Sequence, residues 1–193
     1  MDFARVPATA AWQHRDARVG FEVVYFRSVG EGLRAEGWTT AVEDGGTWVV
    51  EYVIDLDGAG ATRSARVRGR SAAGFSLTLL EADGAGRWLV DGGPAPYLDG
   101  CLDVDLESSA MTNALPVRRM DLAPGARAAA PAAYVRAIGL AVERLEQTYL
   151  RAPDEAARHR YDYAAPALGF TSRLIYDESG LVIDYPGIAV RAG

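Results

Sequence analysis

One stretch sets the fold class before any other: residues 47–56, Thr-Trp-Val-Val-Glu-Tyr-Val-Ile-Asp-Leu, with Trp48, Val50, Tyr52, Ile54 and Leu56 at every second position. A period of two puts all five on one face of an extended strand, whereas a helix would scatter them around its axis. The run lies between Asp44-Gly45-Gly46 and Asp57-Gly58-Ala59-Gly60. Both are turn sequences that accept positive φ and send the chain back antiparallel. A strand with one apolar face and two free edges demands a sheet with several members.

The flanking segments supply those members. Residues 12–14 and 21–27 are rich in aromatic and β-branched types, and 33–42, 61–70 and 74–82 continue the pattern between glycine turns. In 21–27 Glu22 shares a face with Val24 and Phe26, so it is either solvated at a sheet edge or aimed into a pocket. Gly37, inside its strand, marks a bulge or a close approach. Thr62, Ser64, Arg66, Arg68 and Arg70 form one solvated face, and Phe75, Leu77 and Leu79 alternate with Ser76 and Thr78. Strands at 160–164, 169–177 and 181–185 complete the tail. Residues 134–151 are ambiguous: Ile138, Val142, Leu145 and Tyr149 fit a helix, but 134–138 reads equally as a strand followed by a helix from Leu140 to Pro153. The mixed version is favoured. The expected architecture is mainly β: a single domain over 1–193, built as a curled antiparallel sheet, a spiral β-roll or incomplete barrel, with one or two short helical segments.

Charge narrows the partners. A net charge of −6 and a pI near 5.0 exclude a nucleic-acid partner, which needs a basic surface, and disfavour an anionic membrane. No apolar run approaches the ~20 residues needed to span a bilayer, and the first residues lack the basic-then-apolar pattern of a leader. A cytoplasmic protein is expected. Cys101 is the one cysteine, so it is expected reduced and mostly buried. His14 and His159 stand in no ligand spacing, and a chain without lysine has no phosphate loop. Neither metal nor cofactor is expected. The sequence leaves the oligomeric state open.

Polar groups concentrate in 87–121. In 101–107 alternation puts Leu102, Val104 and Leu106 on one face, and Cys101, Asp103, Asp105 and Glu107 on the other. Read as a strand, 115–122 turns Arg118 and Arg119 to opposite faces, so at least one sits among apolar residues and needs a carboxylate. A carboxylate of Asp103 or Asp105 is therefore expected within salt-bridge distance of Arg118 or Arg119. The two aspartates, ~6–7 Å apart along a strand, are also the one acid/base candidate. Thr112 and Asn113 offer either turn chemistry or headgroup hydrogen bonds. Tyr161 and Tyr163 share a face, as core or as cleft lining.

Trp88-Leu-Val-Asp-Gly92, Gly100-Cys-Leu-Asp-Val-Asp-Leu106 and Thr112-Asn-Ala-Leu-Pro-Val-Arg-Arg119, with Tyr161-Asp-Tyr163 and Gly180-Leu-Val-Ile-Asp-Tyr-Pro-Gly187, resemble the family named putative glycolipid-binding. The likeness runs from about Trp12 to Arg191. It implies a fold like that of lipid carriers and a non-catalytic binder of a small amphipathic ligand, a glycolipid or related lipid. Cleft walls would draw on Trp48, Tyr52, Phe75, Leu79, Ile183 and Tyr185. Asp103, Asp105, Thr112, Asn113, Arg118, Arg119, Tyr161 and Tyr163 would be the ligand-binding set around an elongated apolar pocket. The alternative is a hydrolase working on a sugar-containing or ester substrate through Asp103 and Asp105.

Overall fold

Each glycine turn closes a hairpin, and the hairpins run on into one another. The structure, a computed structural model, describes residues 3–156 and 158–193. Strand β1 (Thr9–His14) is followed by β2 (Val19–Val29), β3 (Gly32–Glu43), β4 (Gly46–Leu56), β5 (Thr62–Ser71), β6 (Gly74–Ala82), β7 (Trp88–Val90) and β8 (Gly93–Pro94). The chain then leaves this meander for β9 (Asp103–Leu106), a short helix α1 (Ala114–Met120), β10 (Arg127–Ala129), β11 (Ala132–Val135) and β12 (Val142–Leu145). It returns through β13 (Thr148–Glu155), β14 (Arg158–Ala165), β15 (Phe170–Tyr176), β16 (Val182–Tyr185) and β17 (Ala189–Arg191).

Among the described residues fourteen strands form one curled antiparallel sheet, in the order β10-β13-β14-β15-β16-β17-β1-β2-β3-β4-β5-β6-β7-β8. Strand β1 joins the two meanders: Trp12 lies opposite Glu22 on β2 and Arg191 on β17. The end strands β8 and β10 do not pair with each other, so the sheet stays open. A second sheet of three strands, β12-β11-β9, pairs β9 parallel to β11, with Tyr134 opposite Asp105.

The second sheet and α1 plug the inner face of the first. Trp48, Val50, Tyr52 and Ile54 point inward from β4, as their alternation requires, and belong to the same buried cluster as Val104, Leu106, Met111 and Val117. Each such side chain contributes roughly 1.5–3 kcal/mol by leaving water. Polar stitches fix the plug: the Thr62 N–H donates to Leu102 O at 2.9 Å, the Val104 N–H to Thr62 Oγ1 at 3.1 Å, and Trp88 Nε1 to Cys101 O at 2.9 Å. Cys101 is fully buried, as expected, and burial pushes its thiol up to about 11.

Several expectations need correction. No helix follows Leu140. Gly139 and Leu140 take positive φ in the tight turn between β11 and β12, a conformation no helix can start from, and Tyr149 is inward on β13 opposite Tyr163. Residues 114–120 are helical rather than extended. Pro116 falls in the first turn, where its missing N–H costs nothing, and Asp121 ends the helix at φ 39°. Strand 101–107 shortens to β9 and is buried on both faces because the plug has protein on either side. Phe75 and Leu79 line no cleft: they lie on the outer face of β6, 63% and 42% exposed. Thr62 is buried, because an irregularity between Asp55 and Leu56 shifts the register there.

Two cavities around the central motif as a candidate ligand site

Glu22, read from sequence as either solvated or pocketed, is fully buried, and its carboxylate clamps the plug to the sheet. Oε1 accepts from the Tyr52 hydroxyl at 2.6 Å and from Ser109 Oγ, while Oε2 accepts from the Ala110 N–H at 2.8 Å. Burial pushes the Glu22 carboxyl up, against the pull of the Ser109 and Tyr52 hydrogen bonds. Gly37 is the slot for Tyr52: a Cβ there would lie 2.1 Å from Tyr52 Cζ. No bulge is involved, since the β3 register runs unbroken.

The expected ion pair is present between Asp103 and Arg119. The guanidinium forks onto the carboxylate, Nε to Oδ1 at 3.0 Å and Nη2 to Oδ2 at 2.6 Å. Burial raises the Asp103 carboxyl, and Arg119 offsets this. Arg118 takes another direction, donating to Ser179 O and, at 3.3 Å, to Ala4 O, with its guanidinium 5.7 Å from the Phe3 ring centre.

Two cavities flank the plug. The larger, about 310 Å³, is walled by Phe26, Leu33, Leu56, Met111, Leu115 and Leu181, with Arg118, Arg119, Ser28 and Glu31 among its polar lining. It falls at the lower end of the usual ~300–1,000 Å³ for ligand pockets. The smaller, about 190 Å³, is lined by Asp105, Glu107, Ser109, Asn113, Tyr134, Tyr163, Phe170, Tyr185 and Arg18. The two share no lining residue, and segment 105–119 borders both.

The ligand-binding set anticipated from sequence is therefore divided. Arg118 and Arg119 reach the larger cavity; Asp105, Asn113 and Tyr163 reach the smaller. Asp103, Thr112 and Tyr161 line neither. Thr112 is structural, its hydroxyl donating to Asp105 Oδ1 at 2.8 Å and accepting from the Leu106 N–H at 3.2 Å. The Tyr161 hydroxyl accepts from Arg151 Nη1 at 3.0 Å. Asp105 keeps company with tyrosines rather than arginine, and burial pushes its carboxyl up to about 6. Among the described residues no cluster of histidine, cysteine and carboxylates is arranged to hold a metal ion. Sequence reasoning missed Arg18: it sits in the turn after β1, where no periodicity predicts an inward side chain.

A family model described as "Putative glycolipid-binding" matches residues 9–191. The chain belongs to that family. Its strands superpose on the crystal structure of a DUF1089 family protein from Pseudomonas aeruginosa with a TM-score of 0.75 at 31% identity, covering 100% of this chain and 97% of that one. A β-barrel-like protein of the domain-of-unknown-function family DUF1849 from Brucella abortus matches with a TM-score of 0.54 at 12% identity, covering 98% and 95%. The second likeness speaks for the fold alone. No curated protein matches this glycolipid-binding family member, and no helix in its described residues is long and apolar enough to cross a membrane.

Proposed function

We propose that the protein is a non-catalytic binder of a small amphipathic molecule, a glycolipid or related lipid, taken up in the larger cavity. The observation that carries this is the open sheet with its incomplete filling. The plug covers the inner face but leaves a space lined by Phe26, Leu33, Leu56, Leu115 and Leu181 together with Arg118 and Arg119. Apolar walls take the ligand's hydrocarbon, and a few fixed polar groups orient its head. Asp103 does not serve as a free acid or base in this proposal, because both its oxygens are held by Arg119. That favours binding over hydrolysis through an Asp103 and Asp105 pair. The proposal takes the protein as cytosolic, with Cys101 reduced.

Calorimetric titration with decyl maltoside, kept below its micelle threshold, tests it. Ser28 lies at the exposed rim of the cavity on β2, so Ser28→Trp places a ring over the mouth without entering the core. One-to-one binding by the wild type, at least tenfold weaker in S28W, is expected. Equal affinity in both, or none in either, contradicts the proposal.

A further inference from the structure

The smaller cavity is lined by a buried cation whose hydrogen-bonding capacity is partly unmet. Arg18 is 8% exposed, and its Nε and Nη1 have no hydrogen-bond partner among the described residues. The Glu43 carboxylate stands 3.8 Å from Nε, outside hydrogen-bond range, and its other oxygen already accepts from Trp48 Nε1 at 3.0 Å. The guanidinium carbon lies 5.1 Å from the Trp48 ring centre, which gives it attraction but no acceptor. Buried guanidinium groups are costly unless paired and hydrogen-bonded, and the long ion pair to Glu43 leaves Nε and Nη1 without the close oxyanion that the planar fork matches.

The rest of the lining fits the remainder of such a ligand. Tyr163, Phe170 and Tyr185 form an aromatic corner with ring centres 5.8–6.3 Å apart, a surface on which the C–H face of a sugar ring can lie. Asn113 Oδ1 accepts from the Tyr149 hydroxyl at 3.1 Å, which leaves its amide N–H groups for the cavity. Asp105 has one oxygen on Thr112 and supplies an acceptor for hydroxyls. Glu107, the other acid in the lining, pairs with Arg136 at 3.3 Å, a guanidinium it shares with Glu143, and accepts from the Ala137 N–H at 2.8 Å. Repulsion of an incoming anion is thereby reduced.

We propose that this cavity is a second site, separate from the larger one, for a monosaccharide-sized polyol carrying an oxyanion, with Arg18 binding the anion and the aromatic corner the ring. The site shares no lining residue with the lipid cavity, so it stands or falls independently of the proposed function.

Calorimetry on the full chain with glucose 6-phosphate, glucuronate, glucose and inorganic phosphate tests it. Short-chain phosphatidylglycerol below its micelle threshold provides a lipid-borne anion. At least one anionic polyol is expected to bind at least tenfold more tightly than glucose or phosphate alone. Whichever of the soluble and lipid-borne forms binds more tightly names the source of the anion. Arg18→Met should weaken that binding at least tenfold while melting close to the wild-type temperature, because it removes two buried N–H groups without acceptors along with the long Glu43 pair, and Arg18→Lys should restore part of the binding. Phe170→Ala, at a half-buried strand end, gives a second route should R18M fold poorly, and it too should weaken binding. The S28W variant should bind the soluble probes as the wild type does. Absence of binding by every anionic probe, or binding that survives both R18M and F170A, overturns the proposal. So does binding of the soluble probes that S28W abolishes and R18M does not.

Discussion

The Arg119 guanidinium meets the Asp103 carboxylate edge to edge, at 3.0 and 2.6 Å, and the same arginine walls the larger cavity. One side chain thus pairs a fully buried acid and lines the proposed ligand site. Arg119→Met leaves Asp103 buried and unpaired, which typically costs about 3–5 kcal/mol, whereas Arg119→Met with Asp103→Leu removes both charges and recovers most of it. Urea unfolding of the two variants checks this. Equal losses would mean that the pair is not what Asp103 depends on.

The clamp on Glu22 is a second weak point. Glu22→Ala strands the Tyr52 and Ser109 hydroxyls and the Ala110 N–H, three groups it now satisfies. With about 1–3 kcal/mol for each unsatisfied group and partial relief by water, a loss of roughly 2–4 kcal/mol is expected. Gly37→Ala should destabilise as well, since Tyr52 fills the space its Cβ would take. Thermal melts of the two variants test both losses.

Much of the sheet was legible because alternation along a strand is local. Trp48, Val50, Tyr52 and Ile54 bury as their period of two requires, and Asp44 and Gly45 turn at positive φ where the sequence has its turn. The charge pair was legible for a different reason: an arginine among apolar residues needs a carboxylate whatever the local structure, so Asp103 found Arg119 although the arginine stands on a helix. The helix itself was hidden, because Leu115, Val117 and Leu122 fit a strand as well and tertiary packing decided between the two. Periodicity also says which residues share a face but not which face turns inward. On β6, Thr78 and Leu80 are buried while the more apolar face of Phe75, Leu77 and Leu79 looks out. The cavities depend on which distant segments meet, and Arg18 entered one of them from a turn.

The Asp105 carboxyl makes stability depend on pH. Its folded value of about 6 lies above the unfolded 3.8. Between those values the folded chain binds more protons than the unfolded one, so this contribution falls as pH rises through about 4 to 6 and is lost above. At about 1.4 kcal/mol per unit, the deficit at neutral pH is on the order of 2–3 kcal/mol. Asp105→Asn, which keeps an acceptor for Thr112, should flatten the fall and melt above the wild type at pH 8. Melting curves at pH 4.5, 6 and 8 decide it; a parallel pH dependence in the two proteins would contradict it.

The Cys101 thiol should resist modification. It is fully buried and pushed up to about 11, so little thiolate is available near neutral pH. A disulfide reagent at pH 7.5 should label the native protein far more slowly than the urea-unfolded chain. Rapid labelling of the native protein would show that the Cys101 to Leu106 segment opens readily.

Native mass spectrometry of the protein purified from cells that make it tests the proposed lipid site most directly. A single adduct of lipid mass on the 20.6 kDa chain, present in the wild type and absent from S28W, is the expected result. A bare chain in both, or an adduct that S28W retains unchanged, would contradict a ligand seated in the cavity lined by Leu115 and Arg118.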